Sequence, residues 1–229
     1  MKKILLILLT TCYAIASSAQ TPGKWITLFD GKSADGLRGY KMDKFPDGIW
    51  VIKDGSLQTI PKTKNVDLVT KEQFGNFELE YEWAVDTAAN SGIFFHLQED
   101  KAMVSNNGNS PNWLDNFEIQ ILDDKYFNDT AAVRSAGSLY DLIRPMNKKL
   151  MPIGQFNKAR LIQKDGHVEH WLNGAKVLDF EIGSQAVKEL IIRSKYSKNP
   201  RFQAYKEGHI MLQHHGQRVY FKNVRVRRI

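Results

Sequence analysis

The sequence has one cysteine, and its 229 residues contain only one long apolar run. Because Cys12 has no second cysteine to pair with, the chain cannot form an internal disulfide framework or a cysteine-based zinc site. The apolar run lies at the extreme N-terminus, which excludes a protein with several membrane-spanning helices. A composition of 42% hydrophobic and 25% charged residues is that of an ordinary folded protein, so disorder along the whole chain is excluded.

The N-terminal segment has the organisation of a secretory signal peptide. Lys2 and Lys3 precede a short apolar core over residues 4–9, and the small residues 17–19 precede a cleavage position before Gln20. This order predicts a signal peptide over residues 1–19 and an exported protein, periplasmic or secreted, without a stable membrane span. A lipoprotein is disfavoured, because the residues before Cys12 lack the small residue that usually precedes a lipidated cysteine.

Net charge gives little support for a nucleic-acid partner. The full chain carries +7, and removal of residues 1–19 takes away two lysines and no acidic residue. The basic residues are spread along the chain, apart from Arg225, Arg227 and Arg228, which alternate with apolar residues. This alternation is typical of the solvent face of a strand. We therefore expect no nucleic-acid partner, and the oligomeric state stays open.

Hydrophobic residues recur mainly with a period of two. Residues 77–83, 117–121 and 219–226 alternate apolar and polar side chains, which predicts half-buried strands. Turn dipeptides such as Asp165-Gly166 and Asn173-Gly174 separate other runs and predict a three-stranded meander over residues 159–180. Helical patterns are short and few. The sequence predicts an all-β sandwich or jelly roll of antiparallel sheets, as a single domain over residues 20–229.

Polar side chains on the predicted strands suggest a ligand cleft. Glu118 and Gln120 share one face of their strand, and His96 is expected on the same face as Phe94 and Gly92. If such strands share one sheet, amides, carboxylates and imidazoles converge as they do in sugar-binding clefts. Trp113, in the polar loop after residue 104, is the best candidate for an aromatic platform under a sugar ring. Histidine and carboxylate side chains could together bind a divalent ion, although their spacing in the sequence matches no diagnostic metal-binding motif.

Several ordered segments together resemble the bacterial 3-keto-disaccharide hydrolase domain family. Each segment is weak alone, but their order and coverage, from about Trp25 to the C-terminus, make the set specific. The segments cover residues 25–32, 50–55, 77–79, 90–94, 118–123, 137–142, 170–174, 194–196 and 208–224. One departure is visible: His214 stands where the family often has Asp, which puts substrate preference or metal use in doubt if that side chain contacts substrate.

The resemblance implies a concanavalin-like jelly roll, export, and action on glycosides whose sugar carries a ketone at C3. The motif positions that carry over are Asn90, Glu118, Gln120, Asp123, Tyr140, His170, Lys195, Gln213 and His215. Glu118 is then the candidate general base or metal ligand. His215 and Lys195 are candidates to stabilise the enolate or to protonate the leaving group. The other positions, together with His96 and Trp113, are candidates for substrate binding.

The implied chemistry starts from the ketone, which acidifies the proton on C2. A base removes that proton, and the anomeric substituent then leaves by elimination. Two other functions remain open from the sequence. A non-catalytic carbohydrate-binding module would bind unoxidised glycan without turnover, and an ordinary two-carboxylate glycosidase would cleave without a ketone. An interaction scaffold would instead show an apolar patch.

Overall fold

The computed structural model describes residues 22–99 and 115–229, which form two antiparallel sheets and one α-helix. The predicted signal peptide and Trp113 lie outside the described residues. The strands are β1 Ile26–Phe29, β2 Leu37–Gly39, β3 Trp50–Lys53, β4 Ser56–Thr59, β5 Leu68–Thr70, β6 Phe77–Val85, β7 Asn90–Leu97, β8 Glu118–Leu122, β9 Asn157–Lys164, β10 His167–Leu172, β11 Ala175–Glu181, β12 His209–Leu212 and β13 Val219–Arg228. Helix α1 spans Gln185–Arg193.

The larger sheet has eight strands in the order β11-β10-β9-β6-β13-β4-β3, with β1 paired to β13. The three predicted alternating runs became β6, β8 and β13, and the predicted meander is β9-β10-β11. Its turns Asp165-Gly166 and Asn173-Gly174 have positive φ at both positions, as a two-residue hairpin requires. Period and turn chemistry therefore predicted these strands correctly.

The smaller sheet has five strands in the order β2-β5-β12-β7-β8. One core lies between the two sheets and includes Trp50, Trp83, Tyr81 and the inward residues of both sheets, such as Ile93 and Ile119. Successive side chains of a strand point to opposite faces of its sheet. The small sheet therefore also has an outer face, which points away from the core. The predicted two-sheet sandwich is confirmed.

The outer face of the small sheet has its own apolar cluster. Tyr40, Val69, Phe94, Leu97 and Met211 pack together there, separately from the main core, and each is at most 3% exposed. Polar side chains continue this face toward β8 and the segment after it. We call this surface the polar face; its residues are Asp67, Asn90, Gly92, Glu118, Gln120, Ser138, Tyr140 and Gln213.

Within residues 22–99 and 115–229, no helix has the length and apolar character needed to cross a membrane. Helix α1 is nine residues long, and Ser184 caps its N-terminus by accepting a hydrogen bond from the Val187 amide with its side chain.

Candidate functional site

The register of the small sheet sets the polar face. Gly92 of β7 lies opposite Gln120 of β8, and Phe94 lies opposite Glu118. Gln213 follows β12 and donates its backbone N–H to the Gly92 carbonyl at 3.0 Å. These pairings place alternate residues of three neighbouring segments on the same side of the sheet. Side chains that are distant in sequence therefore share one surface.

Glycine at position 92 makes room for the Glu118 side chain. A Cβ atom at this position would lie 2.3 Å from Glu118 Oε1 and 2.9 Å from its Cγ. Real Cβ contacts are not that short, so the carboxyl group occupies space that only glycine leaves empty. The Glu118 side chain thus leans across the sheet from β8 to β7.

The Glu118 carboxyl group is buried, and this changes its acidity. Loss of solvation raises its pKa to about 8, an effect that the nearby Lys195 charge opposes and Asp67 reinforces. Glu118 is 6% exposed. A carboxylate with so high a pKa is a much stronger base than an ordinary one, and a raised pKa of this kind is typical of groups that transfer protons near neutral pH.

Tyr140 and Lys195 border Glu118. The segment 137–140 runs beside β8, and the Tyr140 amide donates to the Glu118 carbonyl at 2.9 Å. Lys195 is exposed as a residue, but its ammonium lies 4.0 Å from the centre of the Tyr140 ring and 5.3 Å from that of Tyr196. Loss of solvation lowers the pKa of Lys195, against the attraction of Glu118. The ammonium is therefore a better proton donor than a free lysine.

Asp141 fixes this corner of the site. Its Oδ1 accepts from Arg134 Nε at 2.6 Å, and its Oδ2 accepts from the Lys195 backbone N–H at 3.2 Å. The Arg134 guanidinium lies 6.0 Å from the Tyr140 ring centre. The Lys195 ammonium and the Arg134 guanidinium therefore give the Glu118 end of the face two cationic groups.

Amide side chains supply the remaining polarity. Asn90 Oδ1, Gln120 Oε1 and Gln213 Oε1 are buried and have no hydrogen-bond partner among the described residues. Buried polar atoms without partners are costly, and they are most readily explained by a bound ligand or water. Three such acceptors on one face suit the hydroxyl groups of a sugar.

His215 lies in the turn after β12 and is exposed. Its ring meets Phe127 edge-on with centres 6.0 Å apart, and its Nδ1 lies 3.2 Å from Gln217 Oε1. His214 faces elsewhere: its ring meets Trp50 edge-on at 5.8 Å, and its Nε2 lies 3.2 Å from the Ile60 carbonyl. The departure from the family pattern at His214 thus does not place its imidazole on the polar face.

Three predicted site residues lie away from the polar face. His96, expected to share a face with Phe94, instead packs its ring against Phe77 and Phe95. The pairing with β12 contains an irregularity here, and His96 has φ of 62°, so a bulge turns its side chain to the other side. That expected arrangement is wrong.

The side chains of His170 and Asp123 form hydrogen bonds with backbone groups and do not lie on the polar face. His170 is buried between the sheets, where its Nδ1–H donates to the Gly137 carbonyl at 3.3 Å and its Nε2 faces the Tyr81 hydroxyl at 3.4 Å. Burial lowers its pKa to about 4, so the ring is neutral. The Asp123 carboxylate accepts three backbone N–H groups, from Ala88, Lys125 and Tyr126.

Sequence reasoning missed two polar residues of this face, Asp67 and Ser138. Asp67 is 4% exposed, accepts the His214 N–H at 2.7 Å, and has its pKa raised by burial to about 7. Ser138 has a buried hydroxyl without a partner among the described residues. Neither residue lies in an alternating run of apolar and polar residues. For Asp67, the one available signal in the sequence is an aspartate directly before a short strand, and Ser138 has no such signal.

A metal-ligating group is not found on the polar face within residues 22–99 and 115–229. One set of three clustered ligand-type side chains occurs among them, and it lies on the large sheet. On the polar face, Glu118 and Asp67 are the ionisable acids that the structure brings together.

The described residues form a jelly-roll sandwich with a buried acid among amide acceptors on the outer face of the smaller sheet. Residues 24–227 match the model of the 3-keto-alpha-glucoside-1,2-lyase-like domain family. The chain belongs to this family.

Individual relatives agree with this membership. A Bacteroides thetaiotaomicron protein named 3-keto-disaccharide hydrolase is 33% identical over 226 residues, which covers 89% of this chain and 78% of that protein. A crystal structure of a candidate glycosyl hydrolase from Parabacteroides distasonis is 28% identical with a TM-score of 0.78, covering 90% of this chain and 94% of that one.

More distant structures share the fold alone. A Bacillus subtilis protein of unknown function with a galectin-like fold has a TM-score of 0.54 at 13% identity, and the match covers 90% of this chain and 96% of that one. The predicted jelly-roll architecture is therefore confirmed by comparison as well as by the sheets themselves.

Proposed function

We propose that this protein cleaves glycosides whose sugar carries a ketone at C3, by removing the C2 proton and eliminating the anomeric substituent. Family membership and the names of its relatives support a glycoside hydrolase-like enzyme. Elimination is supported mainly by the environment of Glu118. Its carboxyl group is buried, has a pKa of about 8, and packs against Gly92 on the same face as the unpartnered amide oxygens.

The reaction balances without an added oxidant. The base takes the C2 proton, and the C–H electron pair becomes the enolate of the C3 ketone. As the ketone re-forms, a C1–C2 double bond appears and the bond from C1 to the leaving oxygen breaks. A proton completes the leaving alcohol. Addition of water across the double bond then gives the 3-keto sugar, so the overall result is hydrolysis.

Each step has a candidate group in this chain. Glu118 accepts the C2 proton, because burial makes its carboxylate basic. Lys195, positioned over Tyr140, stabilises the enolate oxygen by its charge or gives its proton to the leaving oxygen, and a lowered pKa favours that transfer. Exposed His215 is the second candidate donor. Asn90, Gln120 and Gln213 orient the substrate hydroxyl groups.

The presence of Asp67 as a second buried acid favours one alternative to elimination, which is ordinary glycoside hydrolysis by two carboxyl groups. Asp67 lies on the polar face and raises the pKa of Glu118 by its charge. A glycosidase of that type needs an acid and a second carboxylate around the bond, and it works without a ketone. The two mechanisms therefore require different substrates: elimination needs a ketone at C3, and the two-carboxylate mechanism does not.

The test compares a chromogenic 3-keto-glucoside with the matching unoxidised glucoside, with and without a chelator. We expect release from the keto substrate alone, and we expect Glu118→Gln to reduce it at least about a thousandfold while the circular dichroism spectrum stays unchanged. Cleavage of the unoxidised glucoside would favour the Asp67 alternative. Near-normal turnover of Glu118→Gln would end the assignment of Glu118 as base.

We further propose that the enzyme works outside the cytoplasm, on the strength of the N-terminal pattern over residues 1–19. Cell fractionation of the full chain is the test. The proposal expects the mature protein in the periplasmic or culture fraction, beginning at Gln20, and a cytoplasmic full-length chain would refute it.

A further inference from the structure

A group of ligand-type side chains lies on the outer surface of the large sheet, on the β10-β11 hairpin. His167 pairs with Glu181 in the register, and Glu169 pairs with Asp179, so the four side chains form two cross-strand pairs on one face. His167 Nε2 lies 3.6 Å from Glu169 Oε1 and 3.5 Å from Asp179 Oδ1. All three atoms lie within 4.8 Å of one another.

These distances match a cation site of the zinc type. Zinc binds nitrogen and carboxylate oxygen at roughly 2.0–2.2 Å, so ligands in a tetrahedron lie roughly 3.3–3.5 Å apart. The imidazole nitrogen already has this separation from both oxygens. Two changes are needed for a bound cation. The two carboxylate oxygens have to approach each other by rotation of partly exposed side chains, and Glu169 Oε1 has to release the Lys176 ammonium, which lies 3.1 Å away.

Each of the three groups is also held by its other polar atom. His167 Nδ1 lies 2.7 Å from Glu181 Oε1, which places Nε2 toward the carboxylates. The Trp171 indole N–H donates to Glu169 Oε2 at 2.8 Å, and Lys176 Nζ donates to Asp179 Oδ2 at 2.5 Å. Such outer contacts orient the ligands of established metal sites, where a carboxylate on the second imidazole nitrogen is usual.

Charge favours a divalent cation at this position. Glu169, Asp179 and Glu181 bring three negative charges, and Lys176 returns one, because its Nζ also lies 3.1 Å from Glu169 Oε1. With a neutral imidazole, the group thus has two uncompensated negative charges.

We propose that His167, Glu169 and Asp179 bind one divalent transition-metal cation, with Zn²⁺ as the best fit, and that Glu181 orients the imidazole. The imidazole ligand excludes Ca²⁺ and Mg²⁺ as preferred ions, since these take oxygen ligands. The cation would join β10 to β11 on the sheet opposite the polar face, so the site stands independently of the proposed function.

The test is calorimetric titration of the full chain with ZnCl₂, after treatment with a chelator and its removal, together with parallel MgCl₂ and CaCl₂ titrations. We expect one Zn²⁺ per chain and no heat from Mg²⁺ or Ca²⁺ at the same concentrations. Binding should be lost in His167→Asn and in Asp179→Asn. It should weaken about tenfold in Glu181→Gln, as outer contacts typically do.

Lys176→Met gives a test in the opposite direction. This substitution removes the competing ammonium, so Zn²⁺ affinity should rise severalfold, whereas Glu189→Gln on helix α1 should leave it unchanged. Absence of Zn²⁺ binding to the wild-type chain would overturn the proposal. Binding that survives unchanged in His167→Asn would equally overturn it, because the cation would then lie elsewhere.

Discussion

At the scale of single residues, burial sets the acidity of the Glu118 carboxyl group. The carboxyl group is neutral over a wide pH range because the sheet withholds solvent from it, and neighbouring Asp67 adds to the cost of its charge. Two amino acids set this environment: glutamate supplies the group, and glycine at position 92 leaves the space.

Glu118 should make stability depend on pH. Its pKa in the folded chain, about 8, lies above the ordinary value of 4.5, so its contribution is complete below pH 4.5 and is lost progressively as pH rises to about 8. Glu118→Gln cannot ionise and should therefore melt several degrees above the wild-type protein at pH 9, with the difference shrinking toward pH 5. Scanning calorimetry across this pH range measures it. A constant difference at all pH values would show that the carboxyl group ionises without cost.

Gly92→Ala should displace the Glu118 side chain. The added methyl group would lie 2.3 Å from Glu118 Oε1, and the side chain has to rotate away. We expect kcat to fall at least about a hundredfold, since a misplaced catalytic group costs that much. Gly75→Ala is the matched control, because its Cβ would meet nothing closer than 3.5 Å. Equal activity in both variants would contradict the described position of Glu118.

At the scale of elements, the site is built where the segment 137–140 runs beside β8 and meets the short 3-10 turn Lys195–Lys198. His170 supports this segment from the other sheet through the Gly137 carbonyl. His170 was expected to contact substrate, and the structure gives it a role in holding backbone. The sequence around His170 predicted a strand correctly but did not indicate which sheet carries the polar face.

Asp141→Asn tests this junction. The variant weakens the contacts to Arg134 and to the Lys195 backbone, so the ammonium should lose its place over Tyr140. We expect kcat/KM on a 3-keto-glucoside to fall about tenfold, while Tm changes by less than about 3 °C, because partly exposed ion pairs contribute little to stability. Glu80→Gln, which breaks an ion pair with Arg225 on the large sheet, is the control. If both variants keep full activity, Asp141 does not position Lys195.

The misplaced His96 shows the limit of reading elements from periodicity. A strict period of two assigns His96 to the face of Phe94, but one extra residue in β7 opposite β12 reverses the side. Bulges depend on the partner strand: Gly208 lies so close that its Cβ would be 2.3 Å from the His96 carbonyl carbon. A contact between residues 96 and 208 has no signal in the local sequence.

At the scale of the whole molecule, alternation and turn dipeptides were sufficient to predict two antiparallel sheets. They were insufficient to predict Asp67, because a residue before a three-residue strand joins the polar face only through the pairing of β5 with β12. Ser138 was missed for the same reason, since its segment joins β8 without an alternating pattern. Glu118 and Gln120 were found because their strand alternates and also carries the family resemblance.

The fate of the hydrogen on C2 of the sugar distinguishes elimination from direct displacement at C1. A 3-keto-glucoside with deuterium at C2 is cleaved in ordinary water, and the sugar product is analysed by mass spectrometry at early times against a sample without enzyme. Elimination predicts that the released sugar has lost its deuterium. Glu118 removes the deuteron before the glycosidic bond breaks, and the carboxyl group exchanges it with water before C2 is protonated again. Release of sugar that retains deuterium at C2 would contradict elimination and would indicate direct displacement at C1.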